Sequence, residues 1–440
     1  MSSEFYSTTI GEQITLQRGF DITKKEQEEG DVPVVSSGGI SSYHNVAKVS
    51  GPGVILGRKG TLGTVFFIEE DYWPHDTTLW VKDFKGNNPS FVYYFFKNMS
   101  KQLKGMDVGA ANPALNRNHV HPLEITWPGR DVQKHISKIL SSLDNKIKCN
   151  QKINQTLEQM AQALFKSWFV DFEPVKAKMA ALEAGGSQED ATLAAMTAIS
   201  GKEADALVVF EREHPEQYAE LKATAELFPS AMQDSELGEI PEGWALGALS
   251  DITTFAKGKV DVSSLTPDTY ISTENMLENR AGISKASSLP SVNSVPNFSR
   301  GHVLISNIRP YFKKIWLARF EGGRSADVLA FEARDSVTVE YIYNLLYQES
   351  FFDFMMLTSK GVKMPRGDKK AIMGWQCICP EKKILHAFST AVSKYYSFIE
   401  SNNAQNKTLT QLRDTLLPKL LSGEITLPEA EQAVSEAENV

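Results

Sequence analysis

Three cysteines in 440 residues, Cys149, Cys377 and Cys379, supply no disulfide framework. No apolar run approaches the ~18 residues of a membrane span, and Met-Ser-Ser-Glu-Phe-Tyr at the start lacks the basic and apolar blocks of a signal peptide. A cytoplasmic chain without membrane association is expected. No glycine-rich phosphate loop followed by Lys is present, which argues against a nucleotide-driven motor. Excess positive charge is missing as well, since the net charge is −8. That figure dissolves on division: residues 185–243 hold 3 basic and 13 acidic side chains, a net of −10, leaving +2 for the rest. Residues 244–380 alone carry 16 basic and 13 acidic groups. The acidity belongs to one segment and does not argue against a polyanionic partner.

What the chain does have is a long helical pattern, twice. From Asp131 to Phe169 there is no Pro or Gly. Ile136, Ile139, Leu140, Leu143, Ile147, Ile153, Leu157, Met160 and Leu164 recur at three-and-four spacing. That spacing predicts one amphipathic helix with a coiled-coil seam, roughly 55–60 Å long. At an offset of 252 the sequence repeats itself: Pro128 onto Pro380, Asn150 onto Asn402, Asn154 onto Asn406, Thr156-Leu157 onto Thr408-Leu409, and Leu164 onto Leu416. Upstream, Gly109 falls on Gly361 and Pro113 on Pro365. Matches at one offset through such a span indicate two half-molecules, each a globular part followed by a long helix. Asn150, Asn154, Asn402 and Asn406 sit on the seam, where polar residues fix register at a cost in stability. Asn150 and Asn402 are midpoints of their helices, so antiparallel pairing about a two-fold axis would make them a polar layer. The alternative is a solvent-facing pair on a frayed helix.

Each globular part reads as α+β. In the first, Val54-Ile55-Leu56, Thr64–Ile68 and Leu79-Trp80-Val81 read as strands, followed by a helix from Ser90 as N-cap. In the second, Val303-Leu304-Ile305, Lys314–Ala318 and Ile372–Cys379 read as strands and Val339–Phe354 as a helix. Between the halves, Gly185–Leu227 predicts one or two solvated helices; the acidic tail from Leu427 predicts disorder.

Catalytic constellations do not emerge. Asn88-Pro89-Ser90-Phe91 resembles the Asn-Pro-Pro-Phe type of amino-methyltransferase motif, but its third residue differs and a helix cap explains it more simply. His119-x-His121 could present two ligands on one strand face, yet no third follows. Cys377-x-Cys379 falls in a core strand and reads as packing. Basic residues in turns, interleaved with amides and aromatics, are the stronger signal. The first part offers Arg58, Lys59, Asn116 and Arg117, within Gly57–Gly60 and Asn112–Arg117. The second offers Asn307, Arg309, Lys313 and Lys314, with Lys360, Lys363, Arg366, Lys369 and Lys370 in a loop of five basic residues and one acid. Lys and Arg neutralise phosphates, while Arg and Asn match guanine and adenine edges. A solvated charged face explains any one cluster; recurrence in both halves favours DNA. Trp168, Phe169 and Phe172 predict a packing anchor or a subunit interface.

Four motifs bring a family into view: Leu164-Phe165-Lys166-Ser167-Trp168-Phe169-Val170-Asp171-Phe172-Glu173-Pro174; Ser235-Glu236-Leu237-Gly238-Glu239-Ile240-Pro241-Glu242-Gly243-Trp244; Ile308-Arg309-Pro310-Tyr311-Phe312-Lys313-Lys314; and the run from Leu412-Arg413-Asp414 to Ile425. In these the chain resembles, from end to end, the specificity subunit of type I restriction–modification enzymes. The resemblance implies an α+β fold with a pseudo-two-fold internal repeat, in which two target recognition domains are joined by two long antiparallel coiled-coil helices. It places the domains at 1–130 and 244–380, the spacer helices at 131–170 and 381–423, the acidic insert and linker at 171–243, and a tail at 424–440. Each domain would read one half of a split, asymmetric site in double-stranded DNA. The helices would dock two modification subunits, and a restriction subunit would join them. S-adenosylmethionine, ATP and Mg would reside in those partners, leaving this chain no cofactor and no catalysis of its own. The insert Gly185–Leu227 departs from the family pattern. Two other classes remain open: a self-sufficient DNA adenine methyltransferase, which S-adenosylmethionine binding by the isolated chain would indicate, and a coiled-coil scaffold, which would not be retained on specific DNA.

Overall fold

The structure, a computed structural model, describes residues 5–106, 114–334 and 337–438. Gly109, Asn112 and Pro113, named above, lie outside the described residues. The chain divides into two compact units, one of residues 1–152 with 401–440 and the other of 153–400. The two long helices, Arg130–Phe169 and Lys382–Ser422, each contribute one part to each unit.

In the first unit, strands Thr15–Arg18, Thr78–Asp83, Gly53–Gly57 and Val65–Ile68 form a sheet in that spatial order. A smaller sheet combines Gly39–His44, Val32–Ser36 and Trp73–Pro74. Gly53–Gly57 is buried throughout, as a central strand of Val, Ile and Leu requires. Over the larger sheet lies helix Pro89–Asn98, whose Phe91, Val92, Phe95 and Phe96 meet Val54, Leu56 and Trp127. Its N-cap is Asn88, not Ser90: Asn88 Oδ1 accepts from the Phe91 amide, and Pro89 takes the first helical position, where its missing N–H costs nothing. Ile136, Ile139, Leu140 and Leu143 of the first long helix close this core together with Leu409, Leu416, Leu417 and Leu420 of the second. Gln133 fixes the entry: it accepts from the Asn88 amide and donates to Asn87 Oδ1 at 2.8 Å.

The described part of the tail, to Glu438, is helical where disorder was expected. The second long helix stops at Gly423, whose φ of 74° suits glycine, with the Glu424 amide bonding back to Lys419 O at 2.9 Å. Leu427–Glu438 then forms a helix that buries Ala430, Val434 and Ala437 in the core of the first unit. Glu429 accepts from both the amide and the hydroxyl of Thr426. This Thr-x-x-Glu start signal competes with the acidic composition and outweighs it.

The second unit repeats the plan. Thr253–Phe255, Val328–Ala333, Val303–Ser306 and Ile315–Leu317 form one sheet in that spatial order, beside another of Lys259–Asp261, Ser294–Phe298, Gly322–Arg324 and Tyr270–Ile271. Each unit also pairs its opening strand with the strand entering its long helix: Phe5–Thr9 with Glu124–Pro128, and Ala245–Ala248 with Gln376–Cys379. The expected helix 339–354 is two helices, Val339–Leu346 and Glu349–Leu357. They break where Gln348 is extended and its side chain ties to Gln162 and the Asn344 carbonyl. The expected strand 372–379 is shorter, because Asp368 caps a helical turn over Lys369–Met373.

Helix Glu173–Glu183 leads into the acidic insert, which holds three helices where one or two were expected, Gln188–Ser200, Ala204–Glu213 and Pro215–Glu226. They are not simply solvated, since Ala195, Met196, Leu207 and Ala225 form a small core of their own. The insert is tied down by Lys178, whose buried Nζ donates to the Phe228 carbonyl at 2.6 Å. Trp168, Phe169 and Phe172 are 1%, 3% and 7% exposed, packed with Phe228, Trp244, Tyr341 and Phe388 in the core of the second unit. Ile153 and Met160, placed on the seam by spacing, are exposed instead.

Within each unit the long helices run antiparallel. In the first, Asp144 meets Arg413 and Asn150 meets Asn406; in the second, Phe165 and Trp168 meet Phe388.

Candidate nucleic-acid interface

One backbone junction recurs in both units at one end of the larger sheet. In the first unit the Arg58 and Lys59 amides donate to Thr77 O at 2.9 and 3.0 Å, and Arg58 O accepts from the Leu115 amide at 2.9 Å. In the second, the Asn307 amide donates to Asp327 O at 2.8 Å, and Asn307 O accepts from the Gly367 amide at 3.2 Å. The junction thus equates Arg58 with Asn307, Thr77 with Asp327 and Leu115 with Gly367. A strand end, the turn before the neighbouring strand and a late loop converge, so residues distant in sequence share one rim.

On the first rim Lys59 and Arg117 are exposed. Arg58 is half-buried, with Nη1 on the Asp76 carbonyl, while Asp76 pairs with Arg18 at 2.9 Å. Burial, then the like charge of Arg18, lowers the Arg58 pKa; Asp76 pulls the other way. Asn116 is exposed, but its Oδ1 caps the turn Arg117–Val120 by accepting from the Asn118 amide. The two histidines do not share a strand face. His121 turns inward, where Nε2 accepts from the Leu16 amide at 3.0 Å, and burial lowers its pKa. Among the described residues no group of three or more His, Cys, Asp and Glu is placed to hold a metal ion.

The second rim is more elaborate. Lys360 and Arg366 exchange two backbone hydrogen bonds of 2.9 Å, closing the loop between them, and the Arg309 amide donates to Pro365 O at 2.8 Å. Lys360 pairs with Asp368 at 2.5 Å and Arg366 with Asp327 at 3.2 Å. Lys360 and the amides of Ala371 and Lys370 hold the Asp368 carboxyl down at about 2. Arg309 and Lys313 both adopt left-handed backbone, φ 49° and 51°, around the turn Pro310–Phe312. Such strain in non-glycine residues persists only where surrounding contacts enforce it.

Not every predicted reader faces out. Asn307 is 6% exposed and its Nδ2 donates to Gly367 O, so its amide clamps the junction from inside and is removed from the solvent-facing set. Lys313 is paired with Glu349 at 2.5 Å, and Lys314 donates to Thr273 O at 2.9 Å. Arg309, Lys369 and Lys370 remain exposed near the loop base, and Lys363 within the loop. Tyr311, Val362 and Met364, exposed at 46%, 101% and 49%, stand among them.

Where the helices pair in the first unit, Asn150 is buried and donates to Gln405 Oε1 at 2.8 Å and Asn406 Oδ1 at 3.0 Å. Gln405, not named from the sequence, is thus one of its acceptors. The Arg413 network was also missed. Arg413 meets Asp144 at 2.6 Å, Tyr94 donates to the same carboxylate at 2.8 Å, and Lys97 stands 3.7 Å away. Its only trace in sequence is Arg413's place in a quoted motif.

Residues 3–159 match the family described as type I restriction modification DNA specificity domain. The specificity subunit of the type I restriction enzyme HindI of Haemophilus influenzae is 34% identical over 345 residues, covering 75% of this chain and 74% of that protein. The chain belongs to the type I restriction–modification specificity subunits. Another such subunit, that of the MjaIX enzyme of Methanocaldococcus jannaschii, is 25% identical over 368 residues, 77% of this chain and 69% of its own length. The fold agrees with a solved S subunit of a type I system from M. genitalium, with a TM-score of 0.52 at 14% identity over 96% of this chain and 97% of that one. Among the described residues of this specificity subunit, no helix is long and apolar enough to cross a membrane.

Proposed function

We propose that this specificity subunit recognises a bipartite, asymmetric sequence in double-stranded DNA, each globular part reading one half through the rim just described. The observation that carries the reading is the recurrence of the same junction in both units, each time with basic side chains exposed beside it. Lys59, Arg117, Lys363, Lys369 and Lys370 are suited to phosphates, whose charge attracts any exposed ammonium or guanidinium. Arg309 is suited to a base edge, because its enforced backbone presents a planar, forked donor from a fixed point. The long helices dock two modification subunits, and a restriction subunit completes the complex. Chemistry is left to those partners, with S-adenosylmethionine, ATP and Mg; this chain selects the site.

The test begins by mapping methylated adenines in DNA from cells carrying this chain and its partner subunits. On the mapped site, Lys363→Ala should weaken all sequences alike and flatten the salt dependence by about one unit. Arg309→Ala should cost about 1–3 kcal/mol on the cognate site and relax preference at one position. Unchanged affinity and methylation specificity across Lys59, Arg117, Arg309, Lys363 and Lys369 would place the DNA face elsewhere.

A further inference from the structure

The loop Lys360–Arg366 carries apolar side chains where water should favour polar ones. Val362 is 101% exposed and Met364 49%. The base of the loop is not slack. Two reciprocal backbone bonds close it, a third anchors Pro365 to Arg309, and two ion pairs hold Lys360 and Arg366. Gly361, at φ 98°, makes the tight turn; a side chain there would press to 3.1 Å of the Met364 carbonyl. A clamped loop therefore holds a valine fully in water, with Lys363 between the two apolar residues and Lys369 and Lys370 exposed just beyond.

Its surroundings define what can cover it. Five basic residues against one acid in eleven positions select a polyanion. The polyanion must also offer a small apolar target within reach of phosphate-binding lysines. In the DNA major groove that target is the C5-methyl of thymine, which side-chain methyls contact directly. Val362 is short and β-branched, shaped to meet a methyl group rather than to wedge between stacked bases.

We infer that Val362, supported by Met364, reads an A·T pair in the half-site of the second globular part by packing on the thymine methyl. This rests on the DNA-reading role proposed above and adds a specificity determinant made of carbon rather than hydrogen bonds.

The full chain, assembled with the modification subunits of its system, is tested on duplexes of the mapped site. Each thymine of that half-site is replaced in turn by uracil, which lacks only the methyl. One position should lose about three- to fivefold in affinity, the size expected for one buried methyl. Val362→Ala should weaken binding to the thymine duplex and shrink the difference between thymine and uracil at that position alone. Val362 lies fully in solvent, so Val362→Ala should leave thermal stability unchanged. The inference is overturned if no uracil weakens binding, or if Val362→Ala and Met364→Ala keep the full uracil penalty. It is also overturned if 2-aminopurine brightens beside the loop without any uracil penalty, the signature of a wedge. Lys363→Ala and Lys369→Ala separate the two levels. If both leave affinity intact, this loop does not lie on the DNA face; if both weaken binding while uracil is tolerated, only the thymine contact fails.

Discussion

Glu158 of the first long helix supplies a measurable test of how the second unit is built. Its Oε1 is sealed from water and has no hydrogen-bond partner. Gln162, Tyr343 and Arg319 act on it, and its charge is felt by Tyr343, Tyr347 and Tyr396, with Arg319 over the Tyr396 ring at 5.1 Å. Burial pushes the carboxyl from 4.5 up to about 7; hydrogen bonds from Gln162 and Tyr343 and the charge of Arg319 oppose it without prevailing. The folded state therefore binds this proton more tightly than the unfolded chain. Between pH 4.5 and about 7 the group subtracts stability as pH rises, by ~1.4 kcal/mol per unit and ~3 kcal/mol in all. Glu158→Gln keeps the volume and removes the charge. It should stabilise the protein by about 2–3 kcal/mol near pH 8 and change little near pH 5. His121 and His302, whose pKa values burial lowers, tilt the curve the other way as pH falls below 6.5, so the variant must be compared with the wild type at each pH. Calorimetry at the two pH values, with hydrogen exchange over Val339–Leu346 to assign the transition, gives the answer. A variant that is less stable at pH 8, or equally shifted at both, refutes the reasoning.

Trp168→Ala should cost about 3–5 kcal/mol in urea unfolding, as a buried aromatic leaving a cavity. Trp168→Phe should cost clearly less, because the indole Nε1 is buried without an acceptor and no hydrogen bond is lost. Arg413→Ala takes from the Asp144 carboxylate its shortest ion pair, leaving Tyr94 and Lys97, and should cost about 1–3 kcal/mol near neutral pH. The Asp144 pKa is lowered by its partners despite burial, chiefly by the Arg413 hydrogen bond. The loss should therefore shrink as pH falls below 3.8 and the wild type forfeits the same pair. Asn150→Ala should destabilise the first unit by about 1–2 kcal/mol, while Asn150→Leu should be neutral or stabilising and loosen register, read as broadened hydrogen exchange along both helices.

Sequence alone determined the duplication and the two long helices, because a repeat offset and a 3.6-residue period are properties of the string itself. It also located the basic turns, since Gly and Pro punctuate them. It mistook Gly185–Leu227 and the tail by composition: acidic residues stay in water even when Ala195, Leu207 or Val434 on the opposite face are buried. Helix breaks at Gln348 and caps at Asn88 depended on particular side-chain bonds, which periodicity averages away. Only the tertiary structure decided which rim residues face out. Asn307 and Arg309 are two positions apart and both were candidates for base edges, yet one is locked inward by Gly367 and the other is exposed on a left-handed backbone. The pairing of Asp144 with Arg413, 269 residues apart, was likewise decided by the antiparallel packing of the long helices in the first unit. A sequence fixes which donors and acceptors exist; which of them meet depends on distances that only folding creates.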